Sequence, residues 1–172
     1  MRNNPTLQQL VSHWGQMARR WGISRMVAEI HALLFFSARP TPADELVETL
    51  GVARSHVSNS LKELQNWGVI KVVRLEGDRR DHFESIKDTW QLFEVLLEER
   101  KRRELDPTLQ LLRETAAQMS QSPDPSPVRQ RVSEMLAFYE EVDRFYSEVK
   151  RLPLSARVGL LRAGGKIGTW LR

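Results

Sequence analysis

The chain has 172 residues, 41% of them hydrophobic and 28% charged, with a formal net charge of +4 and no cysteine. That composition admits one domain or two small ones around an ordinary core, excludes a disulfide framework or a thiolate metal site, and favours polyanionic partners. No stretch approaches the roughly 18 apolar residues of a membrane span. The opening MRNNPTLQQLVSHWGQMARRWG is too often interrupted by polar residues to serve as a secretory leader, so a soluble cytoplasmic protein without stable membrane association is expected.

In chain order, Leu7, Leu10, Val11, Trp14, Met17, Ala18 and Trp21 follow helical spacing over 6–21, and Gly22 stands where a C-terminal cap belongs. Ser24 is placed to cap a second helix, SRMVAEIHALLFFSA, so dense in apolar residues that it belongs inside the fold. A short third helix is expected with Thr41 as its cap, Pro42 at its first position and Asp44 in its first turn. Leu46 and Leu50 face inward on it, and Gly51 closes it. A fourth helix follows, starting near Ser55, and then VIKVVRL, the turn EGD and RRDHFESI read as a two-stranded hairpin. Asp88 should cap the next helix, with Trp90, Phe93, Leu96 and Leu97 as its apolar face, and Asp106 and Pro107 should restart or kink it.

Further on, SQSPDPSP at 120–127 has the composition of a linker. Beyond it Val128, Val132, Met135, Tyr139, Val142, Tyr146 and Val149 recur in alternating steps of four and three, the spacing of a coiled-coil seam and hence a dimerisation candidate. Phe138 and Phe145 widen that stripe. A long helix packed on its own domain core is the alternative. The tail PLSARVGLLRAGGKIGTWLR mixes basic and apolar residues and loses helical regularity at Gly164, Gly165 and Gly168; a docking helix, a flexible end or a membrane-surface contact all fit it.

The fourth helix, within SHVSNSLKELQNWGVI, poses the sharpest question. Val57, Leu61, Leu64 and Trp67 form a core-facing stripe, yet the opposite face carries Ser55, Asn59, Lys62 and Asn66. Ser and Asn compete for backbone hydrogen bonds and weaken a helix, so either something other than helix stability selects them or this is a solvated face with the helix start near Ser55. The order helix, short turn, polar-faced helix and hairpin spells a winged helix-turn-helix. Short polar side chains approach base edges and phosphates in the major groove, where long acidic ones would be repelled. The candidate DNA contacts are Thr41, Arg54, Ser55, His56, Ser58, Asn59 and Lys62, with Arg79 and Arg80 on the hairpin suited to phosphates or a narrow minor groove. Neutralisation of Asp78 and Asp81 is the other use open to those arginines, and a surface role without DNA contact is the other use open to His56.

The fold class is therefore mainly α. A winged helix-turn-helix domain with a two-stranded β wing spans 1–87, with the helix-turn-helix at about 42–67 and the wing at about 69–86. Connecting helices at 88–119, the linker at 120–127 and a helical dimerisation or regulatory region at 128–172 complete the chain.

An enzyme is not expected. GGKIG lacks the earlier glycine and the Ser or Thr of a P-loop, no GxSxG, HExxH or GxGxxG occurs, and His13, His31, His56 and His82 have no metal-ligand spacing. Neither a cofactor nor a metal is called for. A winged helix used only for protein interaction remains open, since fold does not fix function.

The run ADELVETLGVARSHVSNSLKELQNWGVIKVVRLEGDRRDHFES resembles the winged-helix domain of MarR-type transcription regulators, whose wing commonly holds an Asp-Arg-Arg-like run, here Asp78, Arg79 and Arg80. The flanking WGISRMVAEIHALLFF and DTWQLFEVLLEERKRRE resemble more narrowly the GbsR branch of that superfamily. The resemblance implies a homodimeric, sequence-specific double-stranded-DNA-binding regulator, often a repressor, with a small-molecule effector. Two recognition helices about one helical turn apart then call for an inverted-repeat operator. Trp14, Trp21, Trp67, Trp90, Tyr139 and Tyr146 could cage an effector between the DNA-binding and dimerising parts, though each also lies on an apolar stripe that core packing explains.

Overall fold

A computed structural model describes residues 4–120 and 127–170, with side chains described as far as residue 163. Most of the expected Pro-rich linker, 121–126, lies outside the described residues. The chain divides into two compact units, Met1–Glu99 and Arg100–Arg172.

The first unit is built around α2 (Arg25–Phe36), in which every residue from Val27 to Leu34 is buried. Helix α1 (Pro5–Arg20) packs along it. Asn4 caps α1 by accepting the Leu7 N–H at 3.1 Å. The close approach of α1 and α2 requires Gly15, where a Cβ would stand 2.7 Å from Cγ of Glu29. Ser24 is at the N-cap of α2 as expected, but its side chain makes no capping bond.

The third helix differs from the expectation. Thr41–Pro42 form a short strand, β1, so helix α3 (Ala43–Leu50) starts later, with Pro42 rather than Thr41 at its N-cap. The reason is tertiary: Thr41 pairs with Phe83 and Pro42 with His82 on a later strand, and an edge strand tolerates a residue without an N–H. Gly51 closes α3 in the left-handed conformation at φ 67°. Helix α4 (Arg54–Asn66) begins one residue before Ser55, with Ala53 at its N-cap. Strands β2 (Ile70–Arg74) and β3 (Asp81–Ser85) make the hairpin, and the sheet is three-stranded in the order β1-β3-β2, not two-stranded.

The core joins Ile30 and Leu34 of α2, Leu46 of α3, Val57, Leu61 and Leu64 of α4, Trp67, Val69 and Phe83. Asp88 caps α5 (Thr89–Arg100) as expected, accepting the Gln91 N–H at 2.7 Å. The inward face of α5 is only partly the expected one. Leu96 packs against the core, but the fully buried residue is Leu92, whereas Trp90, Phe93 and Leu97 are exposed, because apolar residues lie on more than one side of this helix and periodicity alone could not choose among them.

α2 ends at Phe36 with no basic residue in its last turn. Lys87, just beyond β3, supplies the missing cation, its Nζ donating to the carbonyls of Leu34 at 2.7 Å, Phe35 at 3.0 Å and Ser37 at 2.6 Å. Burial pushes its ammonium below the ordinary lysine range, with Glu84 opposing.

In the second unit, Asp106 and Pro107 are preceded by a π-helical turn, Lys101–Leu105, which takes up the missing N–H and ring clash of Pro107. Helix α6 (Asp106–Ser120) then packs on α7 (Pro127–Arg151), burying Leu109 and Leu112. Lys101 Nζ bridges Asp106 at 2.5 Å and Asp143 at 2.9 Å. It also lies 5.6 Å from the centre of the Tyr146 ring. Burial works against its charge, but the two carboxylates outweigh it and raise the ammonium above the ordinary range. The backbone of α8 (Leu154–Trp170) stays helical through the three glycines at which regularity was expected to end. Among the described residues no helix is long and apolar enough to cross a membrane.

Replacing Lys87 by Met keeps the length of the side chain but leaves three carbonyls at the end of α2 without their cation. The expected loss is about 1–2 kcal/mol of unfolding free energy, read from urea denaturation of the two proteins.

Candidate nucleic-acid interface

Val57, Ser60, Leu61 and Leu64 anchor α4 in the core. The opposite side leaves Arg54, Ser55, His56, Ser58, Asn59 and Lys62 exposed, as the sequence placed them. Thr41 does not join them. It is only 1% exposed, with Oγ1 3.1 Å from Ser37 Oγ and donating to the Arg39 carbonyl at 3.2 Å, so its side chain serves the β1 turn and cannot reach DNA. Arg54 is held toward α3 by Asp44, Nη1 to Oδ1 at 2.7 Å. Both partners are largely exposed, which leaves the guanidinium available to a stronger anion.

The wing arginines have separate environments. Arg79 is exposed at the turn and has no ionic partner among the described residues. Arg80 lies against Asp78, which accepts its Nε at 3.0 Å and its Nη2 at 2.5 Å. These bonds hold the Asp78 carboxyl far below the usual carboxylate range and raise the guanidinium of Arg80. Asp81 faces Arg74 instead, at 3.8 Å. The expected neutralisation thus falls to Arg80 alone of the two wing arginines, and its outer edge remains open, the side chain being 55% exposed.

An open groove of about 360 Å³ brings helix and wing together. Arg54, Ser58 and Lys62 line it from α4 and Arg80 from the hairpin, with Asp44 and Asp81 at its edges. A polar helix face and a cationic ribbon therefore share one surface.

A second cavity, of about 480 Å³, lies within the first unit among α1, α2, α4 and α5, with Val69 just ahead of β2. Trp14, Trp21, Trp67 and Phe93 contribute its rings. Trp90 does not line it, and Tyr139 and Tyr146 belong to the second unit. His31, 4% exposed, is the most buried polar residue on its wall. The Nε2 of His31 lies 3.1 Å from Ser85 Oγ at the end of β3. Burial, helped by the positive charge of Lys87, lowers this imidazole to about 4. No sequence signal marked His31, because a histidine in an apolar helix carries no periodic pattern of its own.

The seven seam residues of α7 are not all free. Val128 and Met135 are exposed, while Val132, Tyr139, Val142, Tyr146 and Val149 are partly covered. The ion pairs Arg113–Glu140 and Lys101–Asp143 show which side of α7 faces the rest of its unit. The most open rings are Phe138 at 65% and Phe145 at 69%.

Residues 21–81 match the MarR family. A crystal structure of a transcriptional regulator is 20% identical, covers 84% of this chain and 95% of its own, and superposes with a TM-score of 0.65. Transcriptional regulator Tm0710 from Thermotoga maritima is 19% identical over 83% of this chain and 92% of its own, with a TM-score of 0.40. BldR from Sulfolobus solfataricus is 16% identical over 77% and 87%, with a TM-score of 0.39. The fold likeness rests on the first of these. No curated protein matches the chain.

His31 yields a pH prediction. Its folded value is depressed, so between about pH 6.5 and about pH 4 the unfolded chain binds the proton that the folded chain refuses. Stability from this residue is complete above that window and falls as pH drops through it, by about 3 kcal/mol at most. Thermal melts of native protein and His31→Gln should converge as pH is lowered across the window; parallel curves would count against a neutral buried imidazole.

Proposed function

From an N-terminal MarR-family winged helix-turn-helix domain, we propose that this chain is a homodimeric, sequence-specific regulator of transcription, a repressor of the GbsR type that a small molecule releases from an inverted-repeat operator. The groove in which Arg54, Ser58 and Lys62 of α4 meet Arg80 of the wing carries the reading. It sets Ser58 and Lys62 of the helix beside Arg80 of the wing, side chains suited to a helix in the major groove and a cation at the adjoining backbone or minor groove. In this reading Asn59 pairs with an adenine edge, Ser55 and Ser58 reach phosphates or bases, and Lys62, Arg79 and Arg80 neutralise phosphates.

Support for a second copy comes from the exposed apolar residues of the second unit. Phe138, Phe145, Met135 and Val128 of α7 and Leu111 of α6 all stand in solvent, a concentration that marks an interface more often than a free surface. The effector is assigned to the aromatic cavity of the first unit. The hydrogen bond from its wall to Ser85 joins it to the root of the wing strand, which provides a route by which occupancy could alter the DNA-binding face. The GbsR assignment is supported by the likeness of the sequence around α2 and α5 to that branch.

Fluorescence anisotropy with a labelled duplex from upstream of the chain's own gene, against a scrambled competitor, tests the reading; equal and salt-sensitive binding to both would refute sequence specificity. Asn59→Ala should weaken binding by about 1–3 kcal/mol at one base position per half-site. Removing Arg79 and Arg80 together should instead weaken all duplexes alike and flatten the salt dependence. For the dimer, Phe138→Glu with Phe145→Glu should shift the sedimentation coefficient to that of a monomer while leaving the melting of the first unit in place. An unchanged dimer would remove α7 from the interface.

A further inference from the structure

The turn of the wing is organised by one carboxylate and one imidazole. Asp78 accepts the backbone N–H of Arg80 at 3.0 Å as well as its guanidinium. His82, on β3 and only 3% exposed, closes the same turn from the protein side. Its Nδ1 is 3.0 Å from the carbonyl oxygen of Arg80, and its Nε2 is 3.4 Å from Asp78 Oδ2. Both ring nitrogens therefore face acceptors. A neutral imidazole has one N–H and one lone pair. With the proton on Nδ1, the lone pair of Nε2 faces a carboxylate; with the proton on Nε2, the lone pair of Nδ1 faces a carbonyl. Only the imidazolium can donate to the carbonyl and attract the carboxylate at once.

The surrounding charge points the same way. The cleft that His82 lines is also lined by Asp44, Glu45 and Glu48 of α3, by Asp78 and Arg80 of the wing and by Arg39 ahead of β1, four carboxylates against two guanidiniums. Arg39 pairs with Glu45, Arg54 with Asp44 and Arg80 with Asp78, so Glu48 is the lining carboxylate without an ion pair among the described residues. Strand pairing fixes the ring in place, His82 standing opposite Pro42 on β1 and Val73 on β2.

We propose that His82 is a positioning residue for the wing arginine: as imidazolium it ties the Arg80 carbonyl and the Asp78 carboxylate together and holds Arg80 in the orientation that meets DNA. This rests on the reading that Arg80 contacts DNA. Loss of the proton removes either the bond to the Arg80 carbonyl or the attraction for the Asp78 carboxylate, the turn loosens, and DNA affinity falls as pH rises. Linkage requires the converse, so that DNA binding takes up a fraction of a proton where His82 is partly deprotonated in the free protein.

The test measures affinity for a labelled A·T-rich duplex from about pH 6 to about pH 8 with native protein, His82→Asn, His82→Gln and Arg80→Ala. Asn keeps a donor near the position of Nδ1 and Gln one near Nε2, and neither titrates. Native affinity should fall by about fivefold across the range, and both His82 variants should lose most of that dependence. The readout is the difference between native and variant profiles, which separates His82 from every other ionisable group. Equal pH profiles in native and variant protein would overturn the role of His82. If Arg80→Ala bound as tightly as native protein, the wing contact itself would fall, and with it the basis of the inference. Because His82 is buried, a second measurement is made on the native protein without DNA. Long-range proton–nitrogen NMR correlations of the ring should show both nitrogens protonated at about pH 6, and a single neutral tautomer there would overturn the assignment.

Discussion

A helix that is apolar around most of its circumference has to be covered on every side, and α2 imposes that requirement on the whole first unit. α1 lies along one side through the space left by Gly15, α4 along another and β3 along a third. The remaining obligation is at its end, where carbonyls without intrahelical partners would be buried beside Phe35. Lys87 meets it with three short bonds. The same residue lies at the exit of the wing, so the cap of α2 also fixes where β3 ends and α5 begins. With α2 covered in this way, α4 has only one face left to offer to solvent.

That face explains the composition of α4. A surface helix chosen for stability would carry mostly Glu, Gln, Lys and Arg; between Arg54 and Gln65 the exposed positions of this one are Ser55, His56, Ser58, Asn59 and a single lysine. Their cost in helix propensity is met by the stripe Val57, Leu61 and Leu64, which is almost fully buried and would hold the helix whatever stood opposite. Acids are kept off the centre of the face and used at its margins. Asp44 restrains Arg54 and Asp78 restrains Arg80. A guanidinium already oriented by a carboxylate loses less side-chain freedom when a phosphate arrives, which is the sense in which ion pairs at such a surface serve geometry more than stability.

The second unit follows a different rule. α7 buries none of its residues completely, and the ion pair Arg113–Glu140 joins it to α6 beside the buried Leu109 and Leu112. Two phenylalanines in solvent on a helix of this length are a liability in an isolated chain. The seam written at heptad spacing is shared between the intrachain partner and the open face, so a strict reading of the repeat as a two-stranded coil assigns too many residues to one side.

The sequence by itself determined the local elements and their order. Apolar periodicity, the capping residue Asp88, the closing glycine at 51 and the β-branched, partly alternating run VIKVVRL are local physics, and they suffice for the winged helix-turn-helix and for the exposed side of α4. What only the tertiary structure decided were the relations between segments far apart in sequence. Thr41 left the candidate interface because a strand forty residues later claimed its backbone, α5 turned Leu92 inward because several of its faces were apolar, and His31 and His82 became notable through partners that no spacing announces. Local propensity acts over a turn or two of chain, whereas burial, strand pairing and side-chain contacts between distant segments exist only after the chain has come together.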